Sequence, residues 1–266
     1  MRSALPLALF AMTGCDLVYG LGDRMEIDAS LGSDTPPEID APPPCTQRSS
    51  SVVAVADTML IRDNAGACDP GNRFGGYSNV NLGQMATAST RSRILVRFAL
   101  LPEMVEAFTP GGGFESGTLT IPLKPDACAA PCPSSEIGFS VFAANNDWNE
   151  GQNTGNIGAA WCMRKQLGGP GTGTMWDVQG ADGDADRSMV SLADVTVTAA
   201  QAQVDRLAVP VSLSPAQVEE ARGWITPTQQ FSLLLVPTTT TGTLYTKARE
   251  DSQAGGGMQL TITSCR

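Results

Sequence analysis

Four stretches of this chain place large apolar residues at every second position: Ile94, Val96 and Phe98; Leu119, Ile121 and Leu123; Phe231, Leu233 and Leu235; Met258, Leu260 and Ile262. A period of two puts one face of an extended strand against a core and leaves the other to different surroundings. Amphipathic helix, which needs a period of 3.6, is excluded for these segments. Similar short runs rich in β-branched residues, broken by Gly, Pro, Asn and Thr, extend the set of expected strands to residues 52–60, 80–87, 93–100, 117–123, 137–143, 189–197, 206–212, 231–236, 243–248 and 258–263. That many strands in one globular segment point to two packed antiparallel sheets, an all-β antiparallel β-sandwich of jelly-roll type. One helix is expected near residues 215–224. Ser214 caps it, Pro215 suits its first position, Gln217 completes a capping box, and Val218, Ala221 and Trp224 share a face that should bury Trp224.

The β-pattern occupies residues 45–266. Ahead of it, residues 16–44 are rich in Asp, Pro, Ser and Gly and carry a net charge of −6, leaving −5 on residues 45–266. Such a segment has too little apolar surface to offset its ordering entropy and reads as a disordered acidic tether. Residues 1–15 read as an export signal: Arg2 supplies a positive start, residues 4–12 an apolar core, and Met12-Thr13-Gly14-Cys15 a lipobox. The run is shorter than the roughly 20 residues a membrane-crossing helix needs. The expected anchor is therefore lipid on Cys15, which holds because each buried methylene adds about 0.8 kcal/mol. The expected location is outside the cytoplasm, lipid-anchored to the cell envelope, with the outer membrane or cell surface favoured.

With Cys15 assigned to lipid, Cys45, Cys68, Cys128, Cys132, Cys162 and Cys265 form an even set in an oxidising compartment, enough for three disulfides. Cys45 and Cys265 bracket the domain and would close it if the terminal strands are neighbours. Cys128 and Cys132 have no second matching pair, which argues against structural zinc.

The chain contains no histidine. That removes Ser-His-Asp and Cys-His nucleophiles and every His-ligated metal at once. Carboxylate pairs are what remain for catalysis, with Asp147 and Glu150, or Glu250 and Asp251, the nearest approaches. Neighbours on a strand face opposite ways, so no catalytic residue is assigned and an enzyme is not expected. The domain is mildly acidic and has no basic stripe, so nucleic acid is not an expected partner.

Asp182, Asp184 and Asp186 alternate in Gly-Ala-Asp-Gly-Asp-Ala-Asp-Arg and are the first candidates for a calcium loop, although the positions an EF-hand fills with Gly and Glu hold Arg187 and Ala193. Asp57 with Asn79 is a second candidate. Tyr77 and Trp176, in Gly-rich contexts, are candidates for stacking on a sugar ring. Arg97 either pairs with Glu250 across the sheet or reaches a bound sugar acid.

The order of motifs adds a resemblance. Val55-Ala56-Asp57-Thr58, Phe74-Gly75-Gly76-Tyr77-Ser78-Asn79-Val80-Asn81-Leu82-Gly83, Arg93-Ile94-Leu95-Val96-Arg97-Phe98-Ala99-Leu100, Gly117-Thr118-Leu119-Thr120-Ile121, Trp148-Asn149-Glu150, Ala160-Trp161-Cys162 and Tyr245-Thr246-Lys247-Ala248-Arg249-Glu250 follow one another before the last strand. This succession resembles a DNRLRE-type domain, a family of extracytoplasmic β-sandwiches related to carbohydrate-binding modules. The chain departs from that pattern at Ala99, Ala160 and Ala248, where the family has Asp, Thr and Ser. The resemblance implies a non-catalytic module that binds polysaccharide or adheres at the cell surface. The alternatives are a structural envelope protein contacting other proteins through a sheet edge, or a divergent glycan-active enzyme.

Overall fold

The computed structural model describes residues 45–62, 78–84, 90–125, 136–151, 158–166, 173–240, 242–251 and 256–265. The expected lipid site Cys15, the cysteines Cys68, Cys128 and Cys132, and Tyr77 lie outside them.

The fold is all-β and sandwich-like, built from twelve strands: β1 (Gln47–Arg62), β2 (Asn79–Gln84), β3 (Arg91–Ala99), β4 (Phe114–Pro122), β5 (Ile137–Ala144), β6 (Met163–Gln166), β7 (Gly173–Met175), β8 (Ala193–Val197), β9 (Arg206–Val211), β10 (Gln230–Pro237), β11 (Thr243–Lys247) and β12 (Gln259–Cys265). Ten of them join in one large sheet with a main path β8-β5-β10-β3-β1-β12-β4-β9, while β2 bridges β3 and β11, and β6 pairs only with β7. Every pairing is antiparallel.

Strand β1 turns the corner between the two layers. Its first half, Gln47 to Val53, pairs with β12. Its second half, Ala54 to Arg62, pairs with β3 after a register shift between Ala54 and Ala56. A bulge of this kind bends a strand and raises its twist, which lets one strand serve both layers. The strand is therefore longer than the expected 52–60, because serine-rich residues 47–51 are ordered by pairing rather than by burial. Ser49 and Ser51 hydroxyls meet those of Thr263 and Thr261 at 2.8 and 2.7 Å.

Between the layers lies the main core. The alternating sets in β3, β4, β10 and β12 all enter it, together with Leu82, Phe139, Val209 and Leu244. Each large apolar side chain that alternation turns inward contributes about 1.5–3 kcal/mol.

A second core lies on the opposite face of the β3–β10 layer. Leu60, Leu95 and Leu234, the residues that alternate outward, are fully buried under Trp148, Ala159, Trp176 and Ala181. The cover is the segment after β5 together with the β6–β7 hairpin and the turn that follows it. The centre of this layer is thus buried on both faces, which simple alternation does not foretell.

Among the described residues there are two α-helices rather than the one expected. The unforeseen one, α1 (Pro102–Ala107), has no side-chain cap and buries Met104 and Ala107. The expected one, α2 (Pro215–Gly223), carries the full capping box: Ser214 Oγ accepts from the Gln217 N–H at 3.4 Å, and Gln217 Oε1 accepts from the Ser214 N–H at 2.9 Å. Ser214→Ala is expected to cost about 1 kcal/mol in urea unfolding. Trp224, expected to be buried, is only half-buried, because it stands at the C-terminal cap with one face packed on the main core. Strand β8 begins at Ala193 rather than 189. The Met189 N–H is taken by Glu220 and the Ser188 hydroxyl bonds the Val190 carbonyl, so these residues form a turn instead of a ladder.

Cys45 and Cys265 are disulfide-bonded, with Cα atoms 5.3 Å apart at the β1–β12 end of the sandwich. Cys162 is disulfide-bonded as well.

Candidate functional site

Charged side chains from distant segments come together within the sandwich and on the outer face of the β3–β10 layer.

The first joins three distant segments. Asp57 sits on β1, Glu150 in the segment after β5, and Arg249 with Glu250 in the turn after β11. One carboxylate oxygen from each of Asp57, Glu150 and Glu250 lies within 4.8 Å of the others. The Arg249 backbone N–H donates to Asp57 Oδ2 at 2.8 Å, and the Asp57 N–H donates to Glu150 Oε1 at 2.7 Å. The Arg249 guanidinium bonds Glu150 at 2.8 Å and pairs with Glu250. Asp57 has 0% of its surface exposed. Burial pushes its carboxyl up to about 7, and the neighbouring Glu250 and Glu150 add to the rise over the opposing effect of the Arg249 N–H. Glu250 is also raised, by burial first and by Glu150 second. Asp57 Oδ1 and Glu250 Oε2 are buried and accept no hydrogen bond.

The second is a pocket of about 350 Å³ lined by Arg62, Arg91, Arg93, Trp161, Gln179, Asp182 and Pro237. Its position follows from register: Arg62, the last residue of β1, lies directly opposite Arg91, the first of β3. Arg93, two residues along β3, faces the same way. Arg93 is anchored: it donates to the Gly180 carbonyl at 2.7 Å, pairs with Asp182 at 3.4 Å and lies 4.9 Å from the Trp161 ring centre. Burial lowers its guanidinium below the usual arginine range, against the opposing pull of Asp182. Gly180 makes room for that wall. Its φ is +81°, and a Cβ there would sit 2.7 Å from the Trp161 ring, so only glycine fits without displacing the indole. Arg62 and Arg91 are exposed and have no acidic partner among the described residues.

The triple-aspartate loop does not converge on a cation. Asp186 is fully buried and its carboxylate accepts from the Asp177, Val178 and Gly183 N–H groups at 3.0, 2.9 and 3.3 Å. It therefore pins its own turn. Asp182 points elsewhere, to Arg93 and Arg187. Burial would raise it, but the two guanidiniums hold its carboxyl below the usual range. Asp184 is exposed.

Trp176 is not a surface platform. It is 4% exposed and its indole N–H donates to the Ala160 carbonyl at 2.8 Å. Instead it packs with Ala181 against Leu95 and Leu234 in the second core.

Arg97 is likewise spent on structure. Its guanidinium lies 4.3 Å from the Trp148 ring centre and donates to the carbonyls of Asn146 and Trp148. It forms no ion pair with Glu250, whose partner is Arg249. Asn79 does not join Asp57, because its side-chain oxygen accepts from Lys124 Nζ at 2.7 Å. Asp147 turns away from Glu150 to pair with Arg164 and Lys165.

Trp161 and the Arg62–Arg91 pair were not foreseen as a site. The signal for them lay in strand register, since three arginines share one face only once β1 and β3 are aligned.

Compared with known proteins, the chain matches no family model and no curated sequence.

Proposed function

We propose that this chain is a lipid-anchored protein of the cell envelope whose sandwich binds an acidic polysaccharide, without catalysis, at the arginine-lined pocket. The observation that carries the reading is the Arg62–Arg91 pair. Like charges directly opposite on neighbouring strands destabilise a sheet, and neither pairs with an acid among the described residues. A bound carboxylate or sulfate relieves that repulsion, and guanidinium groups meet such anions in two-point, charge-assisted hydrogen bonds. Trp161 gives the pocket the aromatic wall on which a sugar ring packs. The volume falls at the lower end of ligand sites, about 300–1,000 Å³. The order of motifs that resembles DNRLRE-type domains points the same way.

The test uses the full chain with its disulfides formed, kept in mild detergent. Saturable binding to polygalacturonate but not to dextran is expected by calorimetry. Arg91→Ala should weaken it about tenfold, a loss of about 1.4 kcal/mol, and raising the salt from 0.05 to 0.5 M should weaken it further through screening. No affinity for acidic glycans, or equal affinity in Arg91→Ala, removes the proposal.

A second reading, contact with another protein, draws on Met189 and Val190, which are 74% and 48% exposed beside strand β8 at one end of the sheet path. A folded chain that binds no glycan but loses self-association or partner binding on Met189→Ser would favour it.

A further inference from the structure

We propose that Asp57, Glu150 and Glu250 form the binding site of one hard divalent cation, with calcium the ion whose chemistry fits. The donors are all carboxylate oxygens, from three residues whose ligand atoms lie within 4.8 Å of one another. Oxygen-only sets of this kind select Ca²⁺-type ions over the softer metals that seek sulfur or imidazole. Three carboxylates face one paired guanidinium, that of Arg249, with the Arg97 charge also felt at Glu150. The carboxylates remain in excess, which leaves room for a cation.

Independent of the clustering is the state of the oxygens. Asp57 is completely shielded from solvent, yet its Oδ1 has no donor, and Glu250 Oε2 is buried without one too. A buried acceptor left unpaired is costly, and a buried unpaired charge more so. The other buried oxygens in that condition, on Thr58 and Asn81, are neutral. Protein groups around Asp57 are already committed: the Arg249 N–H goes to Oδ2, and the Asp57 N–H to Glu150. A cation bound to Asp57 Oδ1 and Glu250 Oε2 satisfies both at once and disturbs neither bond. Asp57 has no surface that a sugar ring or a peptide could touch, so the occupant must be of ionic size.

Such an ion would lock together parts of the chain 93 and 192 residues apart, the spans already bridged by the Asp57–Glu150 and Asp57–Arg249 bonds. Its role is therefore architectural, at a place separate from the arginine pocket.

The experiment is thermal unfolding and calorimetry of the full chain, first stripped with chelator and then titrated with calcium chloride. One ion per chain should bind, and Tm should rise by about 5–10 °C when the ion stands about 100-fold above its Kd. Glu250→Gln should abolish the rise, whatever its effect on the chelated protein, since it removes a ligand charge. Asp57→Asn should do the same, and Glu250→Gln alone decides if Asp57→Asn does not fold. Failure of the stripped chain to bind calcium at millimolar concentration overturns the proposal. A calcium response of full size in a folded Glu250→Gln variant overturns it equally.

Discussion

Replacing Cys45 and Cys265 together by alanine is expected to lower the unfolding free energy by about 5 kcal/mol, and Tm by about 10–20 °C. The two residues are 220 positions apart in sequence. In the loop-entropy account a link across so long a span removes more freedom from the unfolded chain than a short one does. The native geometry permits the full effect, because a Cα separation of 5.3 Å lies within the ordinary range for a disulfide. The double variant is the right one, since a single replacement leaves a free thiol that can exchange with the remaining cysteines. Urea unfolding under non-reducing conditions measures the change, and a loss below about 1 kcal/mol would show that residual structure already holds the two ends close in the unfolded chain.

Trp148→Ala is expected to cost about 3–5 kcal/mol, the range for emptying a large aromatic site in a core. The side chain is 1% exposed and anchors the second core. Three interactions go with it. The indole N–H donates to Ser232 Oγ at 3.0 Å, and Ser232 in turn donates to Asn146 at 2.8 Å. Above the ring lies the Arg97 guanidinium, which would be left half-buried over a cavity. Trp148→Phe should recover more than half of the loss, because it restores most of the apolar area and the ring face while giving up the Ser232 bond. A Phe variant as unstable as the Ala variant would assign the effect to the hydrogen bonds instead.

The parts of this fold that were legible in advance are those whose signal is local. Alternation in Ile94–Phe98 or Met258–Ile262 reports which face meets the core, because the period is a property of a few consecutive residues. The capping box at Ser214 and Gln217 is similarly contained in four positions. Helix α1 escaped notice because Pro102–Ala107 is too short for a helical period and starts from Leu101, which cannot cap.

The second core escaped for another reason. Leu95 and Leu234 occupy the faces that alternation assigns to solvent. Only the return of a segment with glycine-rich surroundings, bearing Trp176 and Ala181, makes those faces interior. The charged clusters were harder still. Asp57, Glu150 and Glu250 were each noticeable in their own motifs, but paired with the wrong companions, Asn79, Asp147 and Asp251. For Glu150 and Glu250, closeness in the chain is a poor guide to closeness in space. The convergence of the three, like that of Arg62 with Arg91, is a product of tertiary register alone.

The course of β1 has a mechanical meaning. The strand runs from beside Cys45, where the preceding chain enters, to Arg62 at the rim of the arginine pocket, a path of roughly 50 Å if extended. A pull on the preceding segment, resisted by something gripped at Arg62, would act along the strand's own axis. Between those two points the load would be carried by the covalent backbone of β1 itself, and the lateral hydrogen bonds to β12 and β3 would not have to open. The disulfide at Cys45 would pass part of the same pull directly into β12. A domain loaded in this way would not have to unfold to bear the force, because the two points of load would lie at opposite ends of one continuous strand.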